Sequence, residues 1–147
     1  MKHSIPFVVQ EIESFSFHPL ITAEIEGRSI SLILDTGASR TVIDSSLTEH
    51  FSVIENQNQE TFAAGINAQK MQVEQVKIPT IKIGNIEFSN LLAFSTDLSP
   101  VSALYEQMVG LKIEGLLGCD FLEKHKAIID FEKRVIEINI RSTQKSN

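Results

Sequence analysis

An apolar run, Ile30-Ser31-Leu32-Ile33-Leu34, ends in Asp35-Thr36-Gly37 and continues into Ala38-Ser39. Such a run reads as a β-strand that carries a carboxylate out of a hydrophobic core and hands it to a turn. A carboxylate withdrawn from water costs free energy unless it is paired or hydrogen-bonded, so a strand that ends this way asks for a purpose. Gly37 leaves room for a backbone amide beside the acid, and Thr36 offers a short hydroxyl for a tight contact. By itself the tripeptide also fits an ordinary Asp/Gly turn.

A second segment separates these readings. Ile113-Glu114-Gly115-Leu116-Leu117-Gly118-Cys119-Asp120-Phe121-Leu122 is another apolar, glycine-flanked run, and it opens into a short helix. Taken together and in this order, the two segments resemble those of the retropepsin-like aspartic proteases. In that family an apolar strand ending in Asp-Thr-Gly-Ala-Ser supplies the catalytic carboxylate, and a later strand often reading G-L-L-G-x-D-F-L threads beneath it. The resemblance spans Phe15 to Ile140. It implies an all-β fold, a closed retropepsin-like barrel with two or three short helices. It also implies one domain over residues 1–147, with its core at 15–140 and Gly115, Leu116, Leu117 and Gly118 as the strand under the site.

Period-two patterning along the chain agrees with that class. Phe15 to Phe17 and Ile21 to Glu26 read as one strand interrupted at His18-Pro19, and Gly27-Arg28 turns it into the strand of Asp35. Asp44 is placed to cap a brief helix toward Phe51. Met71 to Ile83 and Ile86 to Phe94 form a hairpin about Gly84-Asn85. Ser99-Pro100 predicts a helix start, with Ser99 as cap and Gly110 as its end. Ala127 to Phe131 and Val135 to Ile140 close the domain as a hairpin.

Composition narrows the function classes. In 147 residues with 42% hydrophobic residues there is enough apolar material for a real core. A net charge of -6 without a Lys/Arg cluster argues against nucleic acid and anionic membrane as partners. No apolar run is long enough to span a bilayer. The start, Met1 to Pro6 followed by Phe7-Val8-Val9 and the acidic Glu11 and Glu13, does not read as a signal peptide, although trimming upstream would hide one. Cys119 is the lone cysteine, which rules out an internal disulfide and fits a reducing, cytoplasmic setting.

The resemblance implies peptide hydrolysis by two carboxylates that share one proton and one water, without metal or cofactor. One Asp-Thr-Gly in the chain is half of such a site. The family's half-size members solve this by homodimerisation, so Asp35 is expected to meet the same residue of a second copy. Thr36 would then grip the partner loop, and the Gly37 amide would donate to the carboxylates. Ala38 lacks the hydroxyl donor that a Ser would offer there, and Ser39 completes the loop. The terminal strands Phe7-Val8-Val9 and Ile136-Glu137-Ile138 are candidates for an intermolecular sheet. Phe62, Ala63, Ala64, Gly65 and Ile66 lie where the family keeps its flap, over a substrate polypeptide bound as an extended strand.

A retropepsin fold that binds or scaffolds peptides with an unused carboxylate is the alternative, and a small β-barrel with an accidental Asp-Thr-Gly is a more distant one. Other chemistry is weaker. Cys119 and His125 on one short helix would face different ways. His3, His18, His50 and His125 lack metal spacing, and Ser45-Ser46 lack a nucleophile motif. Asp120 and Asp130 read as turn or cap residues, and Tyr105 reads as core.

Overall fold

The computed structural model describes residues 1–49, 51–54 and 73–140. The expected flap, Phe62 to Ile66, lies outside these residues. From the N-terminus come β1 (Lys2–Pro6), β2 (Val8–Glu13), β3 (Ser16–Ile25), β4 (Arg28–Leu34), β5 (Val42–Asp44) and β6 (Ser52–Ile54). Then follow β7 (Glu74–Ile83), β8 (Ile86–Thr96) and α1 (Ser99–Val109). The chain closes with β9 (Gly115–Leu117), α2 (Cys119–Lys124), β10 (Ile128–Asp130) and β11 (Val135–Asn139).

The main sheet runs β2-β3-β4-β9-β5-β8-β7-β6. A further pairing of β3 with β7, at Ala23↔Ile83 and Glu24↔Lys82, closes six of these strands into a barrel. Closure joins β3 to β7, leaves β2 and β6 as the outlying strands, and lets the barrel strands turn their β-branched residues inward. Ile21, Leu32, Ile43, Ile78, Ile81 and Leu117 fill that interior and are essentially inaccessible to solvent. The fold is the all-β closed barrel that the sequence implies.

Several local expectations need adjusting. His18-Pro19 does not interrupt β3, because at that level β3 pairs only with β2 (Val9↔Pro19, Gln10↔His18), so the missing proline amide breaks no ladder. The brief helix after Asp44 is a single 3-10 turn over Ser45–Leu47, capped by the Asp44 carboxylate. Helix α1 starts with Leu98, not Ser99, at the cap position, and Asp97 receives the Ser99 amide at 2.9 Å. Its end at Gly110, with φ 74°, is as expected.

The terminal strands depart most. β11 has β1 on one edge (Ile5↔Ile136) and β10 on the other (Ile129↔Ile136), so Ile136-Glu137-Ile138 is saturated within its own chain. Val8 and Val9 lie in β2 and pair with Leu20 and Pro19. The intermolecular terminal sheet is therefore not available to β11. Of the apolar side chains that suggested it, Phe7, Ile136 and Ile138 are buried against the barrel and Val9 partly so, while Val8 is exposed.

Strand β9 is the structural centre. It runs parallel to β4 (Leu32↔Gly115, Leu34↔Leu117) and antiparallel to β5 (Val42↔Leu116, Ile43↔Gly115). It fits between them because Gly115 lacks a side chain, and Gly118, just after it, lets the chain pass under the loop that follows β4. A Cβ on Gly115 would stand 2.5 Å from Leu32 Cδ2 and 2.9 Å from the Val42 carbonyl oxygen. One on Gly118 would stand 2.6 Å from the Arg40 carbonyl oxygen and 2.9 Å from that of Ala38. Just before β9, buried Glu114 is held by Arg28 at 3.0 Å, while its backbone bridges Ser31 and Asp44.

Two predictions follow from this packing. Gly118→Ala forces a methyl into backbone atoms that cannot move aside as a side chain tip would, and it should destabilise the fold by about 1–3 kcal/mol. The midpoint of urea unfolding reads this, and an unchanged midpoint would contradict the close approach. His125 is buried between Phe88 and Phe121 and donates Nδ1–H to the Asn139 carbonyl. Burial pushes its pKa down and outweighs the raising effect of that hydrogen bond, with Lys124 adding a smaller lowering. The unfolded chain therefore takes up the proton first. Stability should be full above about pH 6.5, the unfolded value, and should drain as pH falls toward the lower folded value. His125→Gln should flatten this part of the stability–pH curve. An identical slope in both proteins would refute the assignment.

Candidate active site

Strand β4 delivers Asp35 by the alternation that buries Leu32 and Leu34 in the barrel and turns Ile33 to the opposite face. The Asp35 amide donates to the Leu117 carbonyl at 3.0 Å, so β9 fixes the point where β4 ends. The chain then turns sharply. The Ala38 amide returns to the Asp35 carbonyl at 3.1 Å, and the Gly37 amide donates to Asp35 Oδ1 at 2.9 Å. A Cβ on Gly37 would sit 3.2 Å from that same oxygen, which accounts for glycine there. Asp35 is half-buried, and its second carboxylate oxygen has no hydrogen-bond partner among the described residues. Thr36 and Ser39 are exposed, Ala38 is half-buried, and the Thr36 hydroxyl makes no hydrogen bond among the described residues.

The loop is braced from behind by α2. The Cys119 amide donates to the Ala38 carbonyl at 2.8 Å, and Cys119 Sγ lies 3.1 Å from the Thr36 carbonyl. Asp120 gathers the Thr41 amide, the Thr41 hydroxyl and its own neighbour's amide, Phe121 N–H, at 2.8 to 3.0 Å. The Thr41 hydroxyl oxygen in turn accepts the Gly118 amide at 3.1 Å. The segment from Asp35 to Thr41 is thus tied to the end of β9 and the start of α2, far apart in sequence. Asp120 is a hydrogen-bonding residue, as expected, but it sits in the first turn of α2, and the cap position belongs to Gly118. Cys119 does more than fill space, since its thiol and amide hold two loop carbonyls.

Two residues near Asp35 carried no functional signal in the sequence. The β3–β4 ladder ends at Leu20↔Ile33, and beyond that pair β3 holds His18 while β4 runs into Asp35. Tyr105 of α1 packs on Leu20 and Ile33, and its hydroxyl meets His18 Nδ1 at 2.7 Å. The other ring nitrogen of His18 lies 3.2 Å from Ser16 Oγ. Burial raises the Tyr105 pKa above the ordinary phenol range, and the negative charge of Asp35 raises it further, which puts the two groups within electrostatic reach. A lone Tyr on a helix and a lone His beside a Pro look like core residues; only the long-range ladder brings them here.

Among the described residues no three His, Cys, Asp or Glu side chains group as metal ligands, and no helix is long and apolar enough to cross a membrane. Chemically, the site offers one oriented carboxylate beside a glycine amide and an exposed threonine.

Among solved structures, the retropepsin-like aspartic protease from Rickettsia conorii is 19% identical, with 94% of this chain and 90% of that one covered, at a TM-score of 0.49. The retroviral protease-like domain of Ddi1 from Leishmania major is 12% identical, with 83% and 88% covered, at a TM-score of 0.53. The latter likeness is one of fold. No curated protein matches. A family profile described as aspartyl protease matches residues 21–121, a stretch that holds both Asp35 and the whole of β9. By that match over more than half of its length, the chain belongs to the aspartyl protease family.

Proposed function

We propose that this chain is an aspartic endopeptidase, a single domain that works as a homodimer in which Asp35 of each copy contributes half of the catalytic dyad. The observation that carries this reading is the oriented but incomplete site. One Asp35 oxygen is held by the Gly37 amide, the other has no partner among the described residues, and the loop around it is fixed from three sides. Building so many constraints around one carboxylate makes sense when a second is to be set against it. Two carboxylates at close range cannot both ionise, so the pair keeps one proton over a working pH range.

The ionised member draws a proton from a water lying between the two acids, and that water attacks the peptide carbonyl. The protonated member donates to the forming oxyanion, and a proton then reaches the leaving nitrogen. The Gly37 amide keeps the Asp35 oxygen in place throughout. Exposed Thr36 is positioned to contact the partner loop. Since β11 is saturated in its own chain, contacts between copies fall to this loop and to strand edges left open among the described residues, such as those of β1, β2 and β10. The substrate is an extended polypeptide, because backbone pairing is how a barrel edge and a covering hairpin hold a chain irrespective of its side chains. The residues 62–66 are assigned to that covering role. The lone cysteine fits a cytoplasmic setting for the enzyme.

Asp35→Asn keeps the shape and the Gly37 hydrogen bond but cannot share a proton. It should lower the cleavage rate of a denatured protein substrate by roughly three orders of magnitude or more while leaving the thermal melt intact. Cleavage at the wild-type rate by the variant would remove Asp35 from the mechanism. A wild-type chain that binds but never cleaves such substrates would favour peptide binding without catalysis.

A further inference from the structure

A groove of about 320 Å³ opens between β8, α2 and the Arg40-Thr41 end of the loop that begins at Asp35. Five consecutive β8 residues, Phe88 to Leu92, line it. Successive side chains of a regular strand point to opposite faces, so five in a row lining one groove call for an irregularity, an edge, or both. Asn90, at φ 57° and skipped in the β7 register, supplies the irregularity. The pairing supplies the edge. Among the described residues β8 follows β7 along its length but meets β5 only from Phe94 to Thr96. The edge from Ile86 to Ala93 is therefore, among these residues, without a ladder on the β5 side, and its stretch from Phe88 to Leu92 lines the groove.

The charge that lines the groove is opposite in sign to that of the molecule, with the exposed Glu87 of the same strand lying outside the lining. The chain carries -6 overall, yet Arg40 and Lys124 stand on the groove's rim, and neither has a carboxylate partner among the described residues. Arg40 is held in place by its guanidinium over the Phe94 ring, 5.9 Å from the centroid. The lining holds one carboxylate, Asp120, whose oxygens already accept three donors from Thr41 and Phe121. His125, also in the lining, stays neutral near pH 7 because burial disfavours its cation. Phe94 and the half-exposed Leu92 give the groove an apolar floor.

We infer that this groove docks an extended acidic segment of a polypeptide, which adds as a strand to the open edge of β8 and sets its carboxylates against Arg40 and Lys124. Arg40 lies on the loop that begins at Asp35, and Lys124 lies on the helix that Asp120 clamps to that loop. A segment docked here would therefore be delivered beside the half-site. The inference rests on the peptidase reading only in assigning the docked segment to a substrate. It gives the enzyme a preference for polypeptides with a Glu/Asp-rich stretch at a distance from the bond cleaved.

The test separates docking from catalysis by using the full chain with Asp35→Asn. Binding of a short fluorescein-labelled peptide that alternates Glu with Val is followed by polarisation, beside peptides with Gln or Lys in place of Glu. The molecule's net charge opposes the Glu peptide at long range, so a preference for it can come only from a local site. The Glu peptide should bind tightest and weaken as salt rises. The added pair Arg40→Gln and Lys124→Gln should weaken it about tenfold with little effect on the Gln peptide. Arg40→Glu with Lys124→Glu should turn the preference toward Lys, with thermal melts confirming that each variant is folded. Equal binding of Glu and Gln peptides, no binding of any, or indifference to both double variants would overturn the inference and leave the peptidase reading untouched. Selective binding by a protein whose wild type cleaves nothing would overturn the peptidase reading and leave the docking site standing.

Discussion

The close passage of β9 beneath the Asp35 loop is the contact on which the rest of the structure depends. It is made backbone to backbone. Gly118 lies so near the carbonyl oxygens of Ala38 and Arg40 that no side chain fits, and the Leu117 carbonyl takes the Asp35 amide. Because β9 also joins β4 to β5, this one short strand completes the barrel wall and sets the height at which the carboxylate emerges. Fold and site therefore share the same constraint. Repositioning Asp35 would mean opening the barrel.

That arrangement explains the kind of rigidity the site has. Hydrogen bonds from Gly37, Cys119 and Thr41 fix the loop's backbone and one carboxylate oxygen, yet the outward side, with Thr36 and the second oxygen, is left open. Preorganised donors lower the cost of holding charge where a reaction develops it. On the proposed account the open side is completed by an identical loop. The cations are placed elsewhere: Arg28 secures buried Glu114 at the entry to β9, whereas Arg40 and Lys124 stay unpaired by carboxylate among the described residues.

What could be read from the sequence was the part written in short-range pattern. The alternating apolar run before Asp35, the paired glycines Gly115 and Gly118 and the Gly turns at Gly27, Gly84 and Gly110 each state their conformation locally, and the barrel followed from the two motifs in order. Strand β2 was hidden because it is an edge strand whose polar Gln10, Glu11 and Glu13 need no buried face. The saturation of β11 by β1 depends on pairing from one end of the chain to the other, which no local window contains. The same holds at the site. Asp120 on Thr41, and Tyr105 on His18 beside Asp35, are long-range pairs of residue types that serve equally well as caps or core.

The central claim is that one Asp35 is half of a working site. Mixing tests it most directly. Wild-type chain and Asp35→Asn chain are combined in varying proportion at fixed total concentration, allowed to exchange subunits, and assayed on a denatured protein. If each site needs Asp35 from both copies and exchange is random, mixed dimers are silent and activity follows the square of the wild-type fraction, about one quarter at equal amounts. A strictly linear fall, about one half at equal amounts, in a sample shown to have exchanged would mean that each chain works alone and would contradict the account.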